Sequence, residues 1–178
     1  MSATAGQVRK PLANGVRYIH TRVPRLLAAR VQLARRGAGL DGEAMATTVT
    51  RKSILLVEDD VDLVRLTTQW LEHEGYRVRS VAGGHAALEA LAGDPLPDLV
   101  LLDIKIPHVT GLDVLRRLRT DARTRTLPVV MMTGLTSEKD VKRGRLLGAN
   151  DYIVKPLMEL DFLKRVARAL GEPRTAGK

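Results

Sequence analysis

The chain predicts an α/β fold: a doubly wound parallel sheet in which five strands alternate with five helices. Three observations predict it. After Arg51, short apolar runs recur, each closing on a polar or charged residue. Runs of that length suit strands buried on both faces of a sheet. Between them lie segments whose leucines repeat at helical spacing, and Gly or Pro punctuates most boundaries.

Each element follows in order. Ser53–Val57 is a largely apolar strand that runs into Glu58-Asp59-Asp60. A helix follows with Leu63, Leu66, Thr67, Trp70 and Leu71 on one buried face, ended by Gly75. Tyr76–Val81 is a short strand whose arginines suit the sheet edge, and Gly84–Leu91 is a small helix stopped by Gly93, Pro95 and Pro97. Leu99–Leu102 leads to Asp103 and then to a Pro107/Gly111 loop; Leu112, Leu115 and Leu118 mark the next helix. Pro128–Met132 is a buried strand ending at Thr133-Gly134, and Ser137 suits the N-cap of a helix that closes at Gly148. Asp151–Val154 is the fifth strand, closed by Lys155-Pro156, and Leu160, Leu163, Val166 and Ala167 line the last helix. Right-handed crossovers place helices on both faces. The flavodoxin-like strand order 2-1-3-4-5 then puts the switch point between the first and third strands, where ligands bind in such sheets.

Composition narrows the class. The 178 residues are 44% hydrophobic but only 3% aromatic, so Val, Leu, Ile and Ala must build the core. The absence of cysteine excludes disulfides and thiolate metal sites and suits a reducing, cytoplasmic setting. No apolar stretch reaches the ~18 residues of a membrane span, and Leu26–Ala29 is too short for a signal-peptide core. Of the formal charge of +9, residues 1–50 hold +6: eight Lys/Arg against Asp41 and Glu43. Basicity therefore concentrates in an N-terminal extension over 1–50, disordered or partly helical, with a short amphipathic helix open to it from Pro24 to Arg36. Three readings stand for this arm: dispensable sequence upstream of a true start at Met45, a partner- or nucleic-acid-binding arm, or a targeting peptide. Residues 51–172 form the folded domain, and 173–178 a tail too short for an effector domain.

Under this topology Glu58 and Asp59, Asp103, Thr133 and Lys155 end four different strands at one rim. Three carboxylates at close range repel one another unless a cation compensates them. A hard divalent ion with oxygen ligands, Mg²⁺ above all, suits that set. Thr133 brings a hydroxyl, and Lys155 an ammonium able to contact a phosphoryl oxygen. Alone, each has a plain structural reading: Asp103 as a loop acid, Glu58-Asp59 as helix-dipole acids, Thr133 as a cap, Lys155 as a solvated end residue, Tyr152 as core packing. His20, His73, His85 and His108 lack metal-ligand spacing, and Lys142, Arg143 and Arg145 make the fourth helix basic, a solvated or docking face.

With these motifs in fixed order, residues 51–170 resemble the receiver domain of two-component response regulators, of single-domain type. The resemblance implies that Asp103 is the phosphoacceptor, and that Mg²⁺ is bound by Glu58, Asp59, Asp103 and the Lys105 backbone carbonyl. It implies Thr133 as the switch hydroxyl, Tyr152 as the switch aromatic, Lys155 as the phosphate-contacting lysine, and a cis Lys155–Pro156 bond. Asp60 reads as a cap of the first helix. The implied donor is a histidine kinase or histidine phosphotransfer protein. The implied output is a downstream protein target that reads the face of helix 4, strand 5 and helix 5. A phosphorylation-dependent homodimer stands as an alternative, with no membrane insertion and no dedicated DNA-binding domain. Catalysis would be self-directed, so the chain is not expected to be an ordinary enzyme. Lys105 and Leu135 depart from common patterns and flank the path by which water reaches the acyl phosphate. Rival readings are a phosphatase with an aspartyl-phosphate intermediate, which needs an acid where Lys105 stands, and an adaptor working through the basic arm.

Overall fold

The computed structural model describes residues 51–134 and 138–172, with the side chains of 138–140 excepted. The basic arm with the helix expected over Pro24–Arg36, Leu135, the expected Ser137 cap and the 173–178 tail lie outside the described residues. In chain order the elements are β1 (Ser53–Val57), α1 (Val61–His73), β2 (Arg77–Val81), α2 (Gly84–Ala92), β3 (Leu99–Asp103), α3 (Gly111–Thr120), β4 (Val129–Thr133), α4 (Glu138–Leu146), β5 (Asp151–Val154) and α5 (Glu159–Ala169).

The five strands form one sheet in the order β2-β1-β3-β4-β5, every pair parallel, as the sequence predicts. The central strands are apolar throughout because both of their faces are covered. Ile54 and Leu56 of β1 pack with Leu99 and Leu101 of β3 against Leu71 of α1 and Phe162 and Val166 of α5. Leu55, Val57, Val100 and Leu102 point the other way, toward Ala87 and Leu91 of α2 and Leu112, Leu115 and Leu118 of α3. Strand β2 lies at the edge, and Arg77 and Arg79 are exposed there, as its arginines suggest.

Helix ends obey local chemistry. Asp60 accepts the backbone N–H groups of Asp62 and Leu63, at 3.0 Å each, and so caps α1. Gly75 ends that helix at φ +89°, with the Tyr76 N–H donating to the Leu71 carbonyl and the Gly75 N–H to that of Glu72. Gly148 repeats the arrangement after α4 at φ +90°. Both turns need the left-handed conformation that glycine adopts without steric cost. Asp98 clasps the start of β3 to β1 by accepting the Ser53 N–H, the Ser53 hydroxyl and the Lys52 ammonium.

Two expected helix faces are corrected. Leu66 is 42% exposed and Leu160 is 75% exposed, so neither belongs to a buried stripe. In α1 the buried positions are Thr67 and Leu71, with Trp70 tilted against Phe162 at 5.7 Å between ring centroids. In α5 the buried pair is Phe162 and Val166, with Leu163 partly buried beside it. Phe162 is fully buried and displaces the helix rotation that would have buried Leu160. Boundaries shift slightly: Tyr76 precedes β2 and is a buried core residue whose hydroxyl donates to Glu172, and β3 extends through Asp103.

Candidate functional site

All five strands are parallel, so their C-terminal ends share one rim, and four of them carry the expected polar residues there. Asp103 closes β3 and is 4% exposed; Glu58 follows β1 and is 2% exposed. Asp59, one residue on, is exposed. One carboxylate oxygen from each of Glu58, Asp59 and Asp103 lies within 4.8 Å of the others. Lys155, beyond β5, reaches across this cluster. Its Nζ donates to Asp103 Oδ2 at 2.6 Å and to Glu58 Oε2 at 2.7 Å.

The electrostatics follow from that geometry. Burial pushes the Glu58 carboxyl above its ordinary range; the Lys155 hydrogen bond pulls it back, and the nearby Asp103 charge adds to the rise. Burial alone would lower Lys155, yet its bonds to Asp103 and Glu58 outweigh that and hold its ammonium above the ordinary lysine value. The remaining oxygens are also held: the Lys105 N–H donates to Asp103 Oδ1 at 3.1 Å, and the Asp60 N–H to Glu58 Oε1 at 3.3 Å.

This donor set fits a hard divalent cation, which takes carboxylate oxygens as ligands and completes its shell with water. Glu58, Asp59 and Asp103 would hold the ion, and the mixed burial leaves Asp59 open to solvent.

Thr133 ends β4 and is buried; Asp103 pairs with Met132, which puts Thr133 one residue beyond it on the neighbouring strand. Its hydroxyl donates to the Gly134 carbonyl at 2.9 Å. The Lys155 N–H donates to the Thr133 carbonyl at 2.7 Å, which ties the ends of β4 and β5 together. Tyr152 on β5 is 8% exposed and packs inward, and burial pushes its phenol up to about 12. The Lys155–Pro156 peptide bond is cis, as expected. Lys105 itself is exposed beside Asp103.

Sequence reasoning missed the glycines that let the rim close. A Cβ on Gly111 would lie 2.0 Å from the Asp103 carbonyl oxygen, and one on Gly84 would lie 2.3 Å from the Val109 carbonyl oxygen. Helices α3 and α2 therefore press directly on β3 and on the loop that follows it. Gly111 sits just after the Thr110 cap, so its place at a helix start was readable; its approach to Asp103 was not.

The comparisons with known proteins decide the family. The profile for the response regulator receiver domain matches residues 54–167. The chain belongs to the response regulator receiver family. A DNA-binding response regulator, MtrA of Mycolicibacterium paratuberculosis, is 40% identical over 120 residues, covering 67% of this chain and 52% of that protein. The chain thus spans about half the length of the curated relatives it matches. Among solved structures, a CheY-like receiver domain protein from Methanospirillum hungatei superposes with a TM-score of 0.64 at 30% identity, covering 68% of this chain and 95% of that one. The receiver domain of the sensor histidine kinase PA1611 from Pseudomonas aeruginosa, solved with magnesium coordinated in its active-site cleft, gives 0.63 at 28% identity, covering 68% and 99%. This chain places the acidic cluster of Glu58, Asp59 and Asp103 at its own rim. No helix among the described residues is long and apolar enough to cross a membrane.

Proposed function

We propose that this receiver is a phosphorylation switch: Asp103 accepts a phosphoryl group from a histidine kinase or a histidine phosphotransfer protein, and a protein partner reads the result. The single observation that carries the reading is the Lys155 ammonium, bound at once to Asp103 and Glu58 inside a three-carboxylate cluster. In the transfer step an Asp103 carboxylate oxygen attacks phosphorus as the phosphorus–nitrogen bond to the donor histidine breaks. Lys155 offsets charge on the phosphoryl oxygens. Glu58, Asp59, Asp103 and the Lys105 carbonyl would hold Mg²⁺, which would supply Lewis-acid neutralisation of the same oxygens. Water then cleaves the acyl phosphate and resets the site, so turnover is self-directed and the protein is not an ordinary enzyme. An aspartyl-phosphate phosphatase would need an acid or base where Lys105 stands.

The output follows from differential contact. Thr133 trades its bond to the Gly134 carbonyl for one to the phosphate, and Tyr152 answers in the adjoining strand. Exposed Val154, Met158 and Leu160, at 49%, 70% and 75%, lie on β5 and at the start of α5 and suit a protein partner. DNA binding belongs to the MtrA relative, which is about twice as long as the stretch matched here, and is not carried over to this chain.

Treatment with acetyl phosphate in the presence of Mg²⁺ should give one modified species on phosphate-affinity gels. Removal of Mg²⁺ or the change Asp103→Asn should abolish it. Persistence of that species in Asp103→Asn would overturn the assignment. A second expectation concerns the exposed Lys105: Lys105→Met should change the decay rate of the phosphorylated form several-fold, on the scale of one altered contact near an attacking water. Decay identical to the parent protein would discard that role.

A further inference from the structure

Tyr152 is buried in an unusual way. Its side chain enters the protein, its hydroxyl oxygen is shielded from solvent, and among the described residues that oxygen has no hydrogen-bond partner. Phenols so placed normally find one, because leaving a buried hydroxyl unpaired carries a desolvation penalty. The ring is therefore held by shape. The shape comes from α4: a Cβ on Gly144 would lie 1.8 Å from Tyr152 Oη and 3.0 Å from Cζ, with Leu112 Cδ2 next at 3.3 Å. The phenol occupies the space where any other residue of α4 would carry its side chain.

Glycine is a poor choice for the interior of a helix, and alanine would be the better helix former. Gly144 lies in the last turn of α4, before the left-handed Gly148 that ends it, so no positive φ requires glycine there. Its small size serves the contact with Tyr152. We propose that Gly144 is the positioning residue for the switch: its missing side chain is the socket that admits Tyr152, and the socket sets the balance between inward and outward tyrosine. The inference rests on the reading of Tyr152 as the reporter of Asp103 phosphorylation, and it adds the residue on α4 that the tyrosine must fit. Filling the socket by one methyl group evicts the ring while leaving the phosphorylation chemistry, built from β1, β3 and β5, in place. Holding the phenol without a polar partner makes eviction easy, which suits an element that must occupy two states.

The test uses the full chain with Tyr18→Phe and Tyr76→Phe, which leaves Tyr152 as its one tyrosine. Adding Gly144→Ala should raise the rate of tetranitromethane nitration at mildly alkaline pH on the order of tenfold. The phenol leaves a site that holds it at about 12 and moves toward its ordinary value of 10.0, and each unit of that fall multiplies the phenolate fraction by about ten. Phosphorylation of Asp103 by acetyl phosphate should stay near the parental rate. Beryllofluoride should change nitration in the parent and not in the variant. A thermal cycle covers the case in which the variant folds poorly: Gly144→Ala should lower Tm when Tyr152 is present and raise it when Tyr152 is alanine. Unchanged nitration in a folded Gly144→Ala protein, or equal Tm losses in both backgrounds, would overturn the socket. Failure of Asp103 to accept phosphate in the parent would instead sink the switch reading and leave the socket result standing.

Discussion

Lys155→Met should lower phosphorylation of Asp103 by acetyl phosphate by about 10²–10³-fold, the cost typical of losing one preorganised charge donor. The same change should also destabilise the protein, and the two losses should respond differently to Mg²⁺. Lys155 does two things in one place. It contacts two buried carboxylates, whose side chains are only 1% and 6% exposed, and it is the cation held between them. Removing one partner of a buried ion pair costs up to about 3–5 kcal/mol, because the charge left behind has lost its compensation. Here the loss is softened, since burial already raises Glu58 and a proton can take the ammonium's place. A divalent ion among Glu58, Asp59 and Asp103 can restore the countercharge, so Mg²⁺ should raise the Tm of the variant more than that of the parent. No ion in that position replaces a donor reaching from β5, so transfer should stay depressed at saturating Mg²⁺. Thermal melts with and without Mg²⁺, beside acetyl-phosphate kinetics, separate the roles. Parental transfer rates in the variant would remove Lys155 from the chemistry.

The site was legible in the sequence where chemistry coincides with the end of an apolar run. Ser53–Val57 and Leu99–Asp103 announce a strand buried on both faces and then place a carboxylate where the strand must emerge. Once the strand order is assumed, the rim assembles itself, and Glu58, Asp103 and Lys155 do meet. Helix rotation was less legible. Leu66 and Leu160 fit a helical stripe as well as their neighbours do, and periodicity names the stripes without saying which one the sheet covers. The bulk of Phe162 decided the matter in α5. Three-dimensional contacts of glycine were not legible at all. Gly84, Gly111 and Gly144 look in sequence like helix starts or weak helix positions, whereas each marks a backbone or ring that comes too close for a Cβ. The unpaired Tyr152 hydroxyl belongs to the same kind: it depends on what α4 lacks.

Gly111→Ala should be the most damaging single methyl addition in the domain. Its Cβ would lie 2.0 Å from the Asp103 carbonyl oxygen, 2.9 Å from the Asp103 carbonyl carbon and 3.0 Å from Ile104 Cα. All three are backbone atoms of a central strand and its exit, so no side chain can rotate away. The overlap can be relieved only by moving the start of α3 off β3. That motion stretches the bond from the Gly111 N–H to the Ile104 carbonyl, now 3.0 Å, and disturbs the Thr110 cap, whose hydroxyl accepts the Asp113 N–H at 3.2 Å. Overpacking usually costs about 1–3 kcal/mol, and with only backbone to yield the expected loss stands near the top of that range. For a folded unit of this size that is a fall in Tm on the order of 10 °C. The functional loss should exceed what stability explains, because the strand end that moves is the one carrying Asp103. Phosphorylation measured well below the variant's Tm should therefore drop by tenfold or more, as expected when a reacting group is displaced by about 1 Å. Gly134→Ala is the matched control: a Cβ there meets nothing within 4 Å among the described residues, and Gly134 also adjoins a rim residue, Thr133. It should leave Tm and transfer close to parental values. Equal behaviour of the two variants would mean that α3 does not hold the phosphoacceptor in place.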